Sequence, residues 1–292
     1  MIVSQIIGGL GNQMFQYAAG RVLSLVRGQS LRLDISGYPD YGLHQGFELQ
    51  RVFNAPIEIA TEADVRAILR WRNSSGICRI LSRPSMAAFR GKRFVVEPHF
   101  HYWHGIKDVP SDCYLMGHWQ SEKYFHEKAA QIRSDFSFRF APEHLNAELA
   151  GQISSANAVS LHVRRGDYAN NPQTNAAHGL CSLEYYHAAI QYIAERTECP
   201  HLFIFSDDVD WTRRNLKVAF PCQYVDHNRD AESYNDMRLM SLCQHHIIAN
   251  SSFSWWGAWL DPKPTKIVVA PHKWFARETD TTDLIPGEWI VL

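Results

Sequence analysis

The feature of this sequence that most restricts its fold is an alternation of short apolar segments with segments of helical periodicity. Five apolar runs in the second half are typical of buried strands, at 158–163, 201–206, 222–225, 245–249 and 266–270. Between them, the stretches 182–197 and 231–244 place their apolar side chains on one helical face. Strands that alternate with helices at this spacing predict a parallel sheet covered by helices on both faces, which is a doubly wound α/β domain.

The first half opens with the same pattern and then loses it after Ser36. Its predicted elements are a strand at 2–7, a glycine turn, a helix over about 12–26, a strand at 31–35, a helix around 61–71 and a strand near 113–117. A chain of 292 residues exceeds what one ordinary core organises. We therefore predict two α/β domains, with bounds 1–150 and 151–292.

Composition and charge exclude several classes of protein. The formal net charge of −1 provides no positive field, so no nucleic-acid partner is expected. The six cysteines show no zinc-site spacing. No apolar run approaches the ~18 residues that span a bilayer, and the first fifteen residues lack the pattern of a signal peptide. We expect a cytoplasmic protein without a transmembrane segment, while peripheral association with a membrane stays open.

A glycine turn, GGLGNQM at 8–14, follows the first strand and opens the first helix. Backbone N–H groups at such a helix start can receive a phosphate or a sugar hydroxyl. Asp34, at the end of the next strand, stands where dinucleotide-binding folds place a ribose-binding acid. Met14, however, replaces the third glycine of that fingerprint, and Asn12 and Gln13 occupy space that a dinucleotide would need. A dinucleotide site, a structural turn and a substrate-lining turn all stay open, and we favour the last.

The strongest chemical signal is SLHVRRGDY at 160–168, where an apolar strand runs directly into two arginines. Ligands of open α/β sheets lie beyond the carboxyl ends of the strands, and guanidinium groups there match the geometry of a pyrophosphate. The alternative is an internal ion pair, which we expect between Arg165 and Asp167, leaving Arg164 for the ligand. His162 is either a core histidine or a neighbour of that ligand.

Two acids, Asp207 and Asp208, end the next strand. A carboxylate can accept paired hydrogen bonds from guanine, which would select a guanine nucleotide. Asp208 and Asp210 also form a DxD sequence, by which one class of glycosyltransferases holds a divalent metal on the diphosphate. A helix N-cap role is compatible with either interpretation.

The segment 249–259 joins a strand to an apolar helix. Its hydroxyl and N–H groups suit phosphate oxygens, although Asn250 or Ser252 could serve only as the cap. Because the helix is almost wholly apolar, we expect its three tryptophans in the core rather than against an acceptor sugar.

Four motifs therefore occur in order: GGLGNQMFQYA from residue 8, HVRRGDY from 162, FSDD from 205 and NSSFSWWGAWL from 250. They resemble the motifs of the α-1,2-fucosyltransferase family, glycosyltransferase family 11, which includes bacterial O-antigen enzymes and animal blood-group H enzymes. The resemblance implies a GT-B fold, two Rossmann-like doubly wound domains facing across a cleft. It also implies GDP-fucose as donor, a galactose-terminated oligosaccharide as acceptor, no metal requirement, and a bacterial cytoplasmic enzyme.

By the same resemblance, the second domain binds the donor. The implied donor-binding residues are His162, Arg164, Asp207, Asp208, Ser251, Ser252 and Phe253, together with Gly11, Asn12 and Gln13 of the glycine turn. Arg164 is expected on the β-phosphate, Asp207 or Asp208 on guanine, and the serines on the phosphates.

The first domain is implied to hold the acceptor beside the turn at Gly11, Asn12 and Gln13. The catalytic candidates are Arg164, Arg165, Asp167 and Asn12. Transfer would occur by one inverting displacement in which the arginines stabilise the charge of departing GDP. Asp167 is the nearest carboxylate, but an arginine neighbour would lower its pKa and weaken it as a base; His178 and Glu184 are weaker candidates. Another fucosyl linkage and a noncatalytic glycan-binding protein stay as alternatives.

Overall fold

In the computed structural model the described residues are 1–38 and 45–292, apart from the side chains of Ser75, Asp167 and Asn170. The chain divides into two compact units. Unit 1 comprises residues 1–139 and 280–286, and unit 2 comprises 140–279 and 287–292. The division thus falls after Arg139 and not near residue 150, because the helix at 144–155 packs its apolar side chains into the core of unit 2.

Unit 1 contains a four-stranded parallel sheet. Its strands are β1 Ile2–Gln5, β2 Leu31–Asp34, β3 Phe94–Val96 and β4 Cys113–Met116, in the order β2-β1-β4-β3. Its helices are α1 Leu10–Arg27, α2 Leu49–Val52, α3 Glu62–Leu69, α4 Ser75–Leu81 and α5 Ala129–Asp135. Short 3₁₀ helices span Arg70–Arg72, Pro84–Phe89, His104–Asp108, Glu122–Tyr124 and His126–Lys128.

Helix α1 is bounded by glycines. Gly8, just before it, has a φ of 80°, and Gly28 ends it in the left-handed conformation with a φ of 62°. Both conformations are unfavourable for residues with a Cβ. A Cβ at Gly8 would also lie 2.7 Å from Nδ2 of Asn12, so the turn between β1 and α1 requires glycine there.

Unit 2 contains a six-stranded parallel sheet. Its strands are β5 Ala158–Val163, β6 His201–Ser206, β7 Cys222–Val225, β8 His245–Ile247, β9 Val268–Ala270 and β10 Ile290–Val291, in the order β10-β9-β8-β5-β6-β7. Its helices are α6 His144–Ser155, α7 Gly166–Asn170, α8 Pro172–His178, α9 Leu183–Ala194, α10 Val209–Asn215, α11 Tyr234–Leu242 and α12 Ser252–Leu260, with a 3₁₀ helix at Asp230–Glu232.

The predicted elements of unit 2 are confirmed with small shifts at their ends. Every residue of β5 is buried, including Ser160 and His162, as expected for a central strand covered on both faces. Ser182 caps α9 by accepting a hydrogen bond from the N–H of Tyr185. Trp255, Trp256 and Trp259 are at most 3% exposed, which confirms their place in the core. Strands β3 and β10, of three and two residues, were not predicted because they are too short to show a periodicity.

A buried polar network joins β5, β8 and the end of α12. The Ser160 hydroxyl lies 2.9 Å from Nδ1 of His246, and Nε2 of His246 lies 3.1 Å from the carboxylate of Asp261. Lys263 donates to the other Asp261 oxygen at 3.0 Å. Although these are the residue types of a hydrolase triad, Ser160, His246 and Asp261 are at most 3% exposed. The network is therefore structural and satisfies polar groups inside the core.

No helix within 1–38 and 45–292 is both long enough and apolar enough to cross a membrane.

Acidification should destabilise the protein through His246. Burial lowers the pKa of this imidazole from 6.5 to about 4, against the opposing effect of Asp261. The unfolded chain therefore binds more protons between these values, so stability that is complete above pH 6.5 is lost as the pH falls toward 4, at about 1.4 kcal/mol per pKa unit. We expect the midpoint of thermal unfolding to drop by several degrees over this interval.

His246→Asn should unfold at a lower temperature, and its stability should depend less on pH in the acid range. The matched control is His144→Gln, because the His144 side chain is 91% exposed. This control should change neither the unfolding temperature nor its acid dependence. Full retention of the acid dependence in His246→Asn would show that another group causes it.

Candidate functional site

The sheet of unit 2 has a topological switch point beside its central strand. From β5 the chain continues to β6 and β7 on one side, and then returns to β8, β9 and β10 on the other. The loops that follow β5 and β8 consequently diverge, and open parallel sheets bind ligands in the resulting crevice at their carboxyl ends. The motifs that begin at 162 and 250 supply these two loops.

Two arginines follow β5, and both are held by acids that follow β6. Nη1 of Arg164 lies 2.9 Å from Oδ2 of Asp207, whose other oxygen accepts the backbone N–H of Arg165 at 2.7 Å. Nε of Arg165 lies 3.6 Å from Oδ2 of Asp208, and its guanidinium stacks 3.5 Å above the ring of Trp211.

The structure shows two ion pairs that the sequence did not predict, while the predicted pair between Arg165 and Asp167 is not tested. Arg165 faces Asp208, and Arg164, expected to be reserved for a ligand, is paired with Asp207. The backbone of Asp167 lies in α7, but its side chain is outside the described residues, so its predicted role stays a prediction. The expectation overlooked that neighbouring parallel strands bring their carboxyl ends together, since Val163 lies directly opposite Ser206.

Gly166 is required by this ion-pair cluster. A Cβ built at Gly166 would lie 2.5 Å from Oδ2 of Asp207, the atom that contacts Arg164. The glycine in the RRGD sequence therefore permits the close approach of an acid from the neighbouring strand.

His162, the penultimate residue of β5, is 5% exposed. Burial lowers its pKa to about 4, so the ring is neutral at neutral pH. The buried Nδ1 makes no hydrogen bond, and the ring centroid lies 5.9 Å from that of Phe253 on α12. An unsatisfied buried nitrogen beside a sheet switch point is a candidate for ligand contact.

The junction between β8 and α12 is tightly organised. Ser251, not Asn250 or Ser252, caps α12, because its hydroxyl accepts the N–H of Phe253 at 3.3 Å. Nδ2 of Asn250 donates to the backbone oxygens of His178 and Trp274 at 3.0 and 3.2 Å. Asn250 therefore fixes the surrounding loops, while the N-terminus of α12 offers its dipole to an anion at the switch point.

The acids of the DxD sequence have separate structural positions. Asp208 is the N-cap of α10 and accepts the N–H of Trp211 at 3.1 Å, while Asp210 is an exposed residue of the first turn. Within the described part of the chain, no three His, Cys, Asp or Glu side chains form a group that could hold a metal ion.

A further polar cluster follows β7 and was missed by sequence reasoning. Asn146 and Asn228 exchange side-chain hydrogen bonds at 2.9 Å, and Asn228 also donates to Oδ1 of Asp236 at 2.8 Å. Burial raises the pKa of Asp236 to about 7. The signal that could have found Asp236 is its position in the first turn of a helix that follows a strand's carboxyl end.

The residues of the glycine turn in unit 1 differ in their exposure. Gln13 is fully buried; it donates to the backbone oxygens of Gly8 and Gly46 and accepts the N–H of Glu48. Its amide thus secures the turn, and Gly11 is also buried. Asn12 is partly exposed, and its Oδ1 accepts a 2.8 Å hydrogen bond from Gln120 after β4. Among these three predicted residues, Asn12 is the one that is partly exposed.

The remaining candidates have internal contacts. Asp34 accepts the hydroxyl of Tyr114 at 2.6 Å and the N–H of Ser36 at 3.0 Å, which disfavours a ribose-binding role. His178 stacks on Tyr168 with ring centroids 4.7 Å apart. A hydrogen bond with Ser182 holds the pKa of Glu184 below its usual value, so Glu184 is a poor base.

Two α/β units, each built on a parallel sheet, form the architecture of the GT-B class of glycosyltransferases. The family model described as Glycosyl transferase family 11 matches residues 101–292. The chain belongs to this family and is a glycosyltransferase.

Similarity to individual proteins extends over the whole chain. It is 36% identical to the Alpha-1,2-colitosyltransferase of Escherichia coli, over 99% of this chain and 98% of that protein. It is 34% identical to the O-antigen biosynthesis glycosyltransferase WbnK of Escherichia coli, over 99% of each chain. The crystal structure of NodZ alpha-1,6-fucosyltransferase soaked with GDP-fucose superposes with a TM-score of 0.53 at 15% identity, covering 89% of this chain and 92% of that one.

Replacement of Gly166 by alanine should disable the site without unfolding the protein. The new methyl group must displace the Asp207 carboxylate from Arg164, and a surface carboxylate can move at little cost in stability. We expect transferase activity to fall at least 10-fold, with a thermal midpoint within a few degrees of the parent. Gly151→Ala is the control, since a Cβ in this helical position meets no atom within 4 Å and alanine favours the helix. Equal activity of the two variants would contradict the assigned role of Gly166.

Proposed function

We propose that this chain transfers L-fucose from GDP-β-L-fucose to O2 of a terminal β-galactose, with inversion at the anomeric carbon, in the synthesis of a bacterial surface glycan. The single observation that supports it best is the convergence of Arg164, Arg165 and the N-terminus of α12 at one switch point. A diphosphate matches this combination of two guanidinium groups with a helix dipole. The relatives supply the sugar chemistry, since they include an α-1,2 transferase and an O-antigen enzyme.

The diphosphate is proposed to bind between the loops after β5 and β8. Arg164 would exchange part of its contact with Asp207 for a β-phosphate oxygen, and Ser251 and Ser252 would contribute the helix start. Arg165 is held rigidly between Asp208 and Trp211, so it would act mainly by its positive charge. In the reaction the acceptor oxygen attacks the anomeric carbon as GDP departs, and these fixed cations stabilise the charge that develops on GDP.

For guanine, the contacts favour Asp236 over the acids predicted from the sequence. Asp207 and Asp208 both face arginines, and Asp208 also caps a helix. Asp236 accepts a side-chain hydrogen bond from Asn228, and burial raises its pKa to about 7. A carboxylate in this position has acceptor capacity for the ring N–H and exocyclic amine of guanine, whose binding would offset the cost of its burial.

A second donor sugar is supported by the relative that is 36% identical, which is named as a colitosyltransferase. Colitose lacks the 3-hydroxyl of fucose, so the two GDP-sugars share the diphosphate and base and differ at one polar group. A site built to bind that hydroxyl rejects the deoxy sugar strongly, whereas an apolar surface there would accept both.

The direct test is transfer from GDP-fucose and from GDP-colitose to a panel of β-galactosides in excess EDTA, with the product linkage read by NMR. We expect a 2-linked α-fucoside and no loss of rate with the chelator. Activity only after addition of Mn²⁺ or Mg²⁺ would instead support a metal held at Asp208 and Asp210. A strong preference for GDP-colitose would replace the proposed donor while leaving the linkage unchanged.

Arg164→Ala should reduce kcat by ~10²- to 10³-fold, the usual consequence of removing one charge-stabilising group. Its Asp207 partner still accepts the N–H of Arg165 and is partly exposed, so cooperative unfolding should persist. Arg213→Ala is the matched control, because Arg213 also pairs with an acid, Asp226, and lies over a tyrosine ring. Full activity of Arg164→Ala, or an equal loss in both variants, would contradict the proposal.

A further inference from the structure

Glu97 is a partly exposed acid at the carboxyl end of β3 in unit 1. Neighbouring β4 ends beside it, and the turn that follows β4 points two backbone N–H groups at its carboxylate. Oε2 accepts from His118 at 2.7 Å, and Oε1 accepts from Trp119 at 3.1 Å. Two donors on different oxygens fix the orientation of the carboxylate and leave lone pairs for a further proton donor.

The turn around Glu97 shows signs of a position under constraint. Trp119 has a φ of 54°, an uncommon value for a residue with a Cβ, although its side chain is fully buried. A Cβ at Gly117 would lie 2.5 Å from Cβ of Glu97 and 2.8 Å from Oε2. The turn that contacts Glu97 therefore contains an unfavourable backbone conformation at Trp119 and requires glycine at position 117.

The same turn connects Glu97 to the predicted acceptor residue. Trp119 donates its backbone N–H to Glu97, and the next residue, Gln120, donates its side-chain amide to Oδ1 of Asn12 at 2.8 Å. Asn12 and Glu97 thus lie at the same edge of the sheet, on opposite sides of β4, and are held by consecutive residues. A hydroxyl bound by Asn12 would therefore lie at the sheet edge that also carries a fixed carboxylate, two strands away.

The environment gives Glu97 the basicity of a useful proton acceptor. Burial raises its pKa to about 7, and the N–H groups of His118 and Trp119 lower it only in part. Tyr124 is the titratable group whose pKa responds to the charge of Glu97; burial and this acid both raise it, so the phenol stays neutral. A general base works best when its pKa lies near the working pH.

We propose that Glu97 is the general base that accepts the proton of the acceptor's 2-hydroxyl, a role that rests on the proposed transferase function. As the O2–C1 bond forms, the bond from C1 to the β-phosphate oxygen breaks and GDP leaves with the electron pair. The hydroxyl proton passes to the Glu97 carboxylate and then to solvent.

The test compares Glu97→Gln with the parent in the pH dependence of kcat/KM for a β-galactoside at saturating GDP-fucose, so that protonation of Asp236, whose pKa is also raised to about 7, does not limit the rate. The parent should lose activity below an apparent pKa near 7, because a protonated Glu97 cannot accept the hydroxyl proton. The variant should be at least 10²-fold slower. It should also lack the fall in activity below pH 7, which is the acid limb of the pH profile. Its Kd for GDP-fucose, measured by calorimetry, should stay within about threefold of the parent's value. A retained limb, or a loss of GDP-fucose binding, would overturn the proposal.

Asp135→Asn is the matched control for removing a buried carboxylate from unit 1. Asp135 is 4% exposed and accepts hydrogen bonds from Tyr17 and Arg21, away from the edge that carries Glu97. This variant should unfold at lower temperature yet retain the parent's acid limb. If both Glu97→Gln and Asp135→Asn lose the acid limb, the limb reflects the stability of the protein. That result would refute Glu97 as the general base.

Glu97→Asp keeps the carboxylate but shortens the side chain by one methylene, so the carboxylate lies farther from the acceptor hydroxyl. We expect about a 10-fold lower kcat with the acid limb retained, so this variant tests the role even if Glu97→Gln does not fold. Unchanged kcat in Glu97→Asp would contradict a base in direct contact with the hydroxyl. If the parent itself shows no transfer from GDP-fucose to any galactoside, the proposed function fails independently of Glu97.

Discussion

The ion pairs between the ends of β5 and β6 are the interaction on which the candidate donor site depends. A fully buried strand ends in two arginines, and cations so close to a core are costly unless acids meet them. Asp207 and Asp208 supply those acids, and the missing side chain of Gly166 gives Asp207 room. The cluster thereby holds positive charge at the switch point before any ligand arrives, which is the preorganisation that charge stabilisation requires.

Unit 1 uses the carboxyl edge of its sheet in a different way. The glycine turn has one partly exposed side-chain amide, that of Asn12. The neighbouring Gln13 is buried, and its amide hydrogen-bonds to the backbone. The turn after β4 then ties Asn12 and Glu97 together through Trp119 and Gln120. Where unit 2 concentrates fixed positive charge, this edge offers neutral hydrogen-bonding groups and one weakly acidic carboxyl group, as a hydroxyl nucleophile would need.

Several residues of the sequence motifs stabilise the fold. Asn250 holds three loops together, Ser251 caps a helix, and Gln13 locks a turn. Such residues are expected beside a site, because a precise site needs neighbours that fix its backbone. A motif therefore identifies the location of a site more securely than it identifies which side chain meets the substrate.

The sequence by itself determined the fold class, the strands β5 to β9, the buried tryptophans of α12 and the family, because strong periodicity and ordered motifs are local properties of the chain. Only the tertiary structure decided which acids pair with Arg164 and Arg165, and it alone brought Asp236 and Glu97 to sheet edges. These relations join residues up to about forty positions apart through parallel strand register, and spacing along the chain carries no record of that register.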